Sequence, residues 1–427
     1  MQTIYDRYPG YVQQVKRHYL RNYVLFIAEA CAFTVSLAMF SQDTILPFLI
    51  SNLTKRSIYI GIIPAIFYLG FYLPQILGAF LVHGRHTRKG IVLAITVIQR
   101  FATLLLALVI QSIHLLPDPI VLILFLTAYT IFSLTNGMIG PPYSDLINKT
   151  IIFNRGIFYG ILTGVTGIIG FLSSLMAKYL LDHYLFPMNF RIMFWVAFGI
   201  SSLSPFLVAA FREIPFPESN PPVQIREYLL AIPNILKAHP IYVRYLAARS
   251  LVGIAFMANA FYAVYAFKLF NLVPGQIGLF TMLVLISKSA TGFAWGWLGD
   301  RFGYKLVMLG VVMTLFLQAF IALVSSTWVF FFFIAILLGS VLSAVWVSDP
   351  NMIFEIAPPA ETGRFIGMTN TLIGPVMILA PLLGGVIVDL FSYQTLFWVC
   401  LVVAGAGILF VLLKVDEPRR VVKKTGE

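Results

Sequence analysis

The stretch Gly296-Trp-Leu-Gly299-Asp300-Arg301-Phe-Gly303-Tyr-Lys305 joins two long apolar runs, and a weaker version, from Gly78 through Arg85 to Arg88-Lys89, lies about 218 residues earlier. The chain repeats itself. Asn52-Leu53 matches Asn271-Leu272, Pro141-Pro142 matches Pro358-Pro359, Asp182 matches Asp389, and Phe194-Trp195-Val196 matches Phe397-Trp398-Val399, with offsets shrinking from about 219 to about 203. Shorter connections in the second half account for the drift, because loops vary more than packed elements.

Composition says what the repeated unit is. Of 427 residues, 59% are hydrophobic and 11% charged, with mean hydropathy +0.90, far from the roughly quarter-charged balance of soluble domains. Apolar stretches of about 20 residues recur roughly twelve times, at 22–51, 57–82, 89–113, 119–142, 156–181, 191–211, 242–270, 275–298, 304–325, 328–350, 364–390 and 393–414. The expected fold is an all-α membrane protein, twelve transmembrane helices in two pseudo-symmetric six-helix bundles. In domain terms, 1–21 is a cytoplasmic N-terminal segment and 22–211 the first bundle. A proline-rich cytoplasmic linker follows at 212–241, with a short helix expected from Val223 to Lys237; 242–414 is the second bundle and 415–427 a cytoplasmic tail.

The formal charge of +12 does not point to nucleic acid, because the basic residues are dispersed among short loops and the two ends. About 21 Lys and Arg fall at the termini and in even-numbered loops, against about 5 in the others. That bias keeps both termini cytoplasmic. The first 21 residues show no cleavable leader pattern. Cys31 and Cys400 both lie in apolar spans, which argues against a disulfide framework or a cysteine metal site. No nucleotide loop, H-E-x-x-H or other catalytic motif appears, so neither an enzyme, a cofactor nor ATP-driven transport is expected.

The motif resembles the signature of the major facilitator superfamily, a G-x-x-x-D-R-x-G-R-K-like sequence between the second and third spans that often returns between the eighth and ninth. Gly296, Asp300, Arg301, Gly303 and Lys305 fit it closely, with Gly299 an extra glycine and Tyr304 in place of a basic residue. The first copy keeps Gly78 and a displaced basic cluster, Arg85, Arg88 and Lys89, but has Val82 where the acid belongs. The resemblance implies that this loop helps lock the cytoplasmic side, with Asp300 meeting the region of Arg155 and Gly156. It leaves the matching contact near Arg364 without its acid.

Charges inside the membrane are costly, about 2.5–3.5 kcal/mol each at a helix centre on insertion scales, and mark functional positions. Glu29, Arg100, Arg249 and Lys288 lie deep within the first, third, seventh and eighth spans. An offset of about 219 carries Glu29 onto Ala248, beside Arg249. The resemblance implies that the first and seventh helices line a central cavity. Glu29 is thus read as a coupling or gating group, with Arg249 as its partner across the halves or Arg100 as a brace within the first half. Lys288 is a candidate contact for an anionic substrate group; Asn259, Tyr262 and Tyr265 give the seventh span a polar-aromatic face for a ligand. Asp349-Pro350 reads as a helix break. Gly160, Gly164, Gly167 and Gly170 on the fifth span read as a close-packing stripe. That span lacks the glycine-proline signature of drug–proton antiporters, which weakens an efflux reading.

The functional expectation is a secondary active transporter in the plasma (inner) membrane. It would move a small organic solute by alternating access, with proton coupling as one option. Its partners would be that solute, protons and membrane lipid, with no nucleic acid. The alternatives are an amphipathic-lipid flippase on the same fold and a transport-inactive membrane sensor or partner protein.

Overall fold

A computed structural model describes residues 8–82, 85–217, 225–357 and 362–417. The first half consists of α1 (Pro9–Met39), α2 (Ile45–Leu53), α3 (Ile58–Tyr72), α4 (Gln75–Val82), α5 (Lys89–Gln111), α6 (Asp118–Thr150), α7 (Arg155–His183), α8 (Met188–Ser201) and α9 (Ser204–Ala210). A connecting helix, α10 (Ile225–Ala238), occupies the linker where a surface helix is expected. The second half runs through α11 (Pro240–Ala255), a 3-10 turn (Phe256–Ala258), α12 (Asn259–Phe270), α13 (Gly275–Phe302), α14 (Tyr304–Val324), α15 (Val329–Ile356), α16 (Thr362–Leu390) and α17 (Tyr393–Lys414).

Eleven stretches among the described residues are long and apolar enough to cross a bilayer, counting α8 with α9 and α11 with α12 as single spans. The twelfth span is split. α3 has only 15 residues, and the chain breaks before α4 at Leu73-Pro74, where proline supplies no amide to continue the ladder. Large apolar side chains such as Phe206 and Phe293 stay exposed, at 75% and 83%, as a lipid-facing surface requires. α1 begins at Pro9, so the segment expected before the first span is itself partly helical. The match of Pro141-Pro142 to Pro358-Pro359 lies in part outside the described residues, since the second pair is not among them.

Packing divides the chain into two compact units, one of Met1–Phe40 with Gly70–Gln224 and one of Ser41–Leu69 with Ile225–Glu427. The boundary is not that of the sequence repeat. Ser41–Leu69, first-half sequence, packs with second-half helices. Thr44 and Thr281 share a hydrogen bond of 2.6 Å, Phe48 meets Phe267 with ring centroids 4.6 Å apart, and Asp389 accepts from the Ser57 and Ile58 amides at 2.5 and 2.9 Å. The last contact places a carboxylate on the otherwise unpaired amides at the start of α3.

Within the second unit, α13 and α15 approach until backbone touches backbone. A Cβ added at Gly339 of α15 would sit 2.2 Å from the Val284 carbonyl oxygen and 2.8 Å from the Lys288 nitrogen. Only glycine fits there. Gly160 and Gly164 behave otherwise: a Cβ at either meets nothing within 4 Å. The close-packing expectation for these two fifth-span glycines is therefore corrected, because nothing among the described residues packs against their Cα positions.

Candidate functional site

Three of the four intramembrane charges, Glu29, Arg100 and Arg249, bond to partners inside their own units. In the first, Glu29 of α1 is buried and accepts a 2.6 Å hydrogen bond from the Tyr143 hydroxyl of α6. Arg100 of α5 faces it through charge. The guanidinium donates to Gln99 at 2.8 Å and lies 5.1 Å from the Phe33 ring centroid, while its Nε and Nη1 have no hydrogen-bond partner among the described residues. A buried carboxylate thus has one direct donor and one cation with donors to spare.

In the second unit, Arg249 of α11 donates through Nε to Asp349 of α15 at 2.7 Å. The expected helix break at Asp349-Pro350 is corrected here. α15 continues through Pro350 to Ile356, and Asp349 serves as a counter-charge. The two halves thus repeat a plan with altered chemistry: an ionisable group on the first helix of each half bonds to the fourth.

Asn259 opens α12 immediately after the 3-10 turn, buried, with neither amide atom partnered among the described residues. Tyr262 stacks on Phe397 at 5.1 Å, and Tyr265 lies 5.1 Å from Tyr393 and 5.2 Å from Phe397, so both are packed into an aromatic cluster. Lys288 is half-buried, 5.9 Å from the Trp346 ring centroid and within electrostatic reach of Asp43. Asp43, in the turn between α1 and α2, is buried as well. Sequence reasoning missed it because Ser41-Gln-Asp43-Thr resembles a polar end of a span; the signal available was a carboxylate inside the apolar stretch 22–51.

The signature loops show what their residues hold. Asp300 accepts from the Tyr304 hydroxyl at 2.6 Å, Arg301 lies 5.4 Å from the Trp297 and Phe302 ring centroids, and Gly299 gives way to the Tyr304 ring. A Cβ at Gly296 meets nothing within 4 Å. Gly303 has φ +99°, a conformation other residues rarely adopt, and turns α13 into α14. Glu417 then accepts from the Lys305 amide, while Lys305 Nζ donates to the Leu412 carbonyl, both at 3.2 Å. In the first half, Glu213 accepts from the Arg88 amide at 2.7 and 2.9 Å and the Lys89 amide at 2.8 Å. Lys89 Nζ donates back to Ala209 and Phe211. Each half is fastened by the same exchange: an acid beyond its sixth span caps the third, and a lysine opening the third caps the sixth.

The remaining first-copy residues complete that picture. Gly78 lies against the Met138 carbonyl, Arg85 is exposed, and Arg88 pairs with Asp145 at 2.5 Å. Arg155 donates to the carbonyls of Ile151 and Asn148, and Arg364 is half-buried near the start of α16.

A duplicated sequence, spans long enough for a bilayer and buried charges on corresponding helices describe an integral membrane protein. The Major Facilitator Superfamily pattern matches residues 250–427. The fold is similar to a variant of the nucleoside transporter NupG, with TM-score 0.73 and 12% identity over 92% of this chain and 98% of that one. It is also similar to a D-xylose-proton symporter, with TM-score 0.71 and 14% identity over 94% and 99%. The second half of the chain thus resembles the major facilitator superfamily, and the chain as a whole shares the fold of these two structures.

Among curated relatives, the rubrofusarin-specific efflux pump aurT of Gibberella zeae is 26% identical over 149 residues, 34% of this chain and 27% of that protein. The multidrug resistance protein MdtG of Dickeya zeae is 29% identical over 160 residues, 36% of this chain and 37% of that protein. The matches therefore span about a quarter to two-fifths of those relatives' own lengths.

Proposed function

We propose that the chain is a secondary active transporter that moves a small organic solute by alternating access, with Glu29 carrying the coupling proton. The observation that carries this reading is the environment of Glu29: buried, bonded to Tyr143 and facing Arg100, whose Nε and Nη1 are unsatisfied. A carboxylate so placed has two stable conditions, ionised against the guanidinium or neutralised by a proton. A switch between them biases a two-state protein by only the difference in how each state treats the charge.

The efflux function named for one relative and the multidrug resistance named for another favour export, against the missing glycine-proline signature of the fifth span. The distribution of Lys and Arg supports both termini on the cytoplasmic side of the plasma membrane.

Proteoliposomes with an imposed pH gradient test the reading, using labelled nucleosides, pentoses and aromatic carboxylates. Glu29→Gln should keep exchange of labelled for unlabelled solute and lose gradient-driven accumulation. Full-rate accumulation by the variant removes Glu29 from coupling; no flux of any solute through folded wild type favours the transport-inactive reading.

A further inference from the structure

Lys288 is the fourteenth residue, counting from Gly275, of a helix of 28, at the middle of its span. Its ammonium has three donors and no acceptor. Among the described residues it makes neither a hydrogen bond nor an ion pair; what faces it is the Trp346 ring and, through charge, Asp43. An ammonium at that depth without an acceptor is an expensive arrangement to keep for structure alone.

The surroundings are those of an interrupted helix. The first span breaks between Met39 and Ile45, and the seventh passes through a 3-10 turn at Phe256–Ala258. The repeat offset of about 219 carries Phe40 onto Asn259, so the interruptions correspond. Broken helices near the midplane are where transporters place substrate groups. The first break buries Asp43 and leaves the buried Gln42 Oε1 without a hydrogen-bond partner.

Thr44, next to Asp43, bonds Thr281, seven residues or about 10 Å before Lys288 along α13 and on the same face. Helical side chains lean toward the N-terminus. The lysine therefore leans toward the break.

We propose that Lys288, beside the ring of Trp346, is the subsite for a carboxylate borne on an aromatic solute, a reading that rests on the proposed transport function and names its substrate class. The carboxylate fills the donors with charge-assisted bonds, and its ring packs on the indole of Trp346. When the guest leaves, Asp43 stands in as the counter-charge, so the ammonium is never wholly uncompensated.

The test compares phenylacetate with phenylacetamide, which share shape and differ in charge, by thermal shift on the purified full-length protein. Phenylacetate should raise the melting temperature in a dose-dependent way and the amide should not. Lys288→Gln should lose the shift, Lys288→Arg should retain part of it, and Asp43→Asn should keep or enlarge it.

No shift with the acid, equal shifts with acid and amide, or a full shift in Lys288→Gln overturns the proposal. If Lys288→Gln does not fold, the wild-type acid–amide comparison and Asp43→Asn decide it. Lost acid preference beside intact gradient-driven flux removes the subsite alone. Acid preference without flux removes the transporter reading instead.

Discussion

At the residue scale, the buried ion pair Arg249–Asp349 is the most exposed to a simple test. The arginine side chain is 4% exposed and the aspartate 24%. Removing one member leaves a charge without its partner, which in buried pairs costs about 3–5 kcal/mol; the partial exposure of Asp349 puts this pair at the lower end. Asp349→Asn should therefore lower the thermal midpoint in detergent, and Arg249→Gln combined with Asp349→Asn should recover part of the loss in a double-mutant cycle. A double variant whose loss equals the sum of the two single losses would show that the pair contributes little. Sequence located Glu29, Arg100, Arg249 and Lys288 because charge in an apolar run is conspicuous. It missed Tyr143 and Asp349 as partners, since a tyrosine or an Asp-Pro near the end of a span has ordinary local explanations.

Helix ends were the least legible elements. The signature loop was readable as a motif, yet its main attachment runs to Glu417, 112 residues beyond Lys305, a distance no local pattern spans. Glu213 does the same for α5 across 125 and 124 residues. Glu213→Ala should cost about 1 kcal/mol, in the range of a lost N-cap, and speed hydrogen exchange at the amides of Arg88 and Lys89 while leaving α14 unchanged. Burial pushes the Glu213 carboxyl above its ordinary value of 4.5, against the opposing pull of the Lys89 and Arg88 amides. The folded protein thus holds this proton to higher pH than the unfolded chain does. Its contribution is fullest below the ordinary value and declines as pH rises through the raised one, so the wild-type margin over Glu213→Ala should narrow over that interval.

For the whole molecule, hydropathy and duplication made the fold legible, because the bilayer permits few spanning architectures. The allegiance of Ser41–Leu69 was not legible: its repeat register is first-half, while its packing is second-half. The orientation proposed from the Lys and Arg distribution is directly measurable. In a variant with Cys31 and Cys400 replaced, Lys55→Cys should react with a membrane-impermeant maleimide from outside intact cells, and Arg301→Cys only after the membrane is opened. The opposite pattern would invert the assigned topology.

The paired end-clamps also bear on how such a chain is made. Glu213 and Lys89 belong to one half, Glu417 and Lys305 to the other. The first clamp draws only on residues up to 213, so no residue of α11 is needed for it to close. Early elements can therefore settle in chain order, whereas Ser41–Leu69 must wait for partners such as Phe267 and Asp389, more than 200 residues downstream. The segment built nearly first is among the last to find its place.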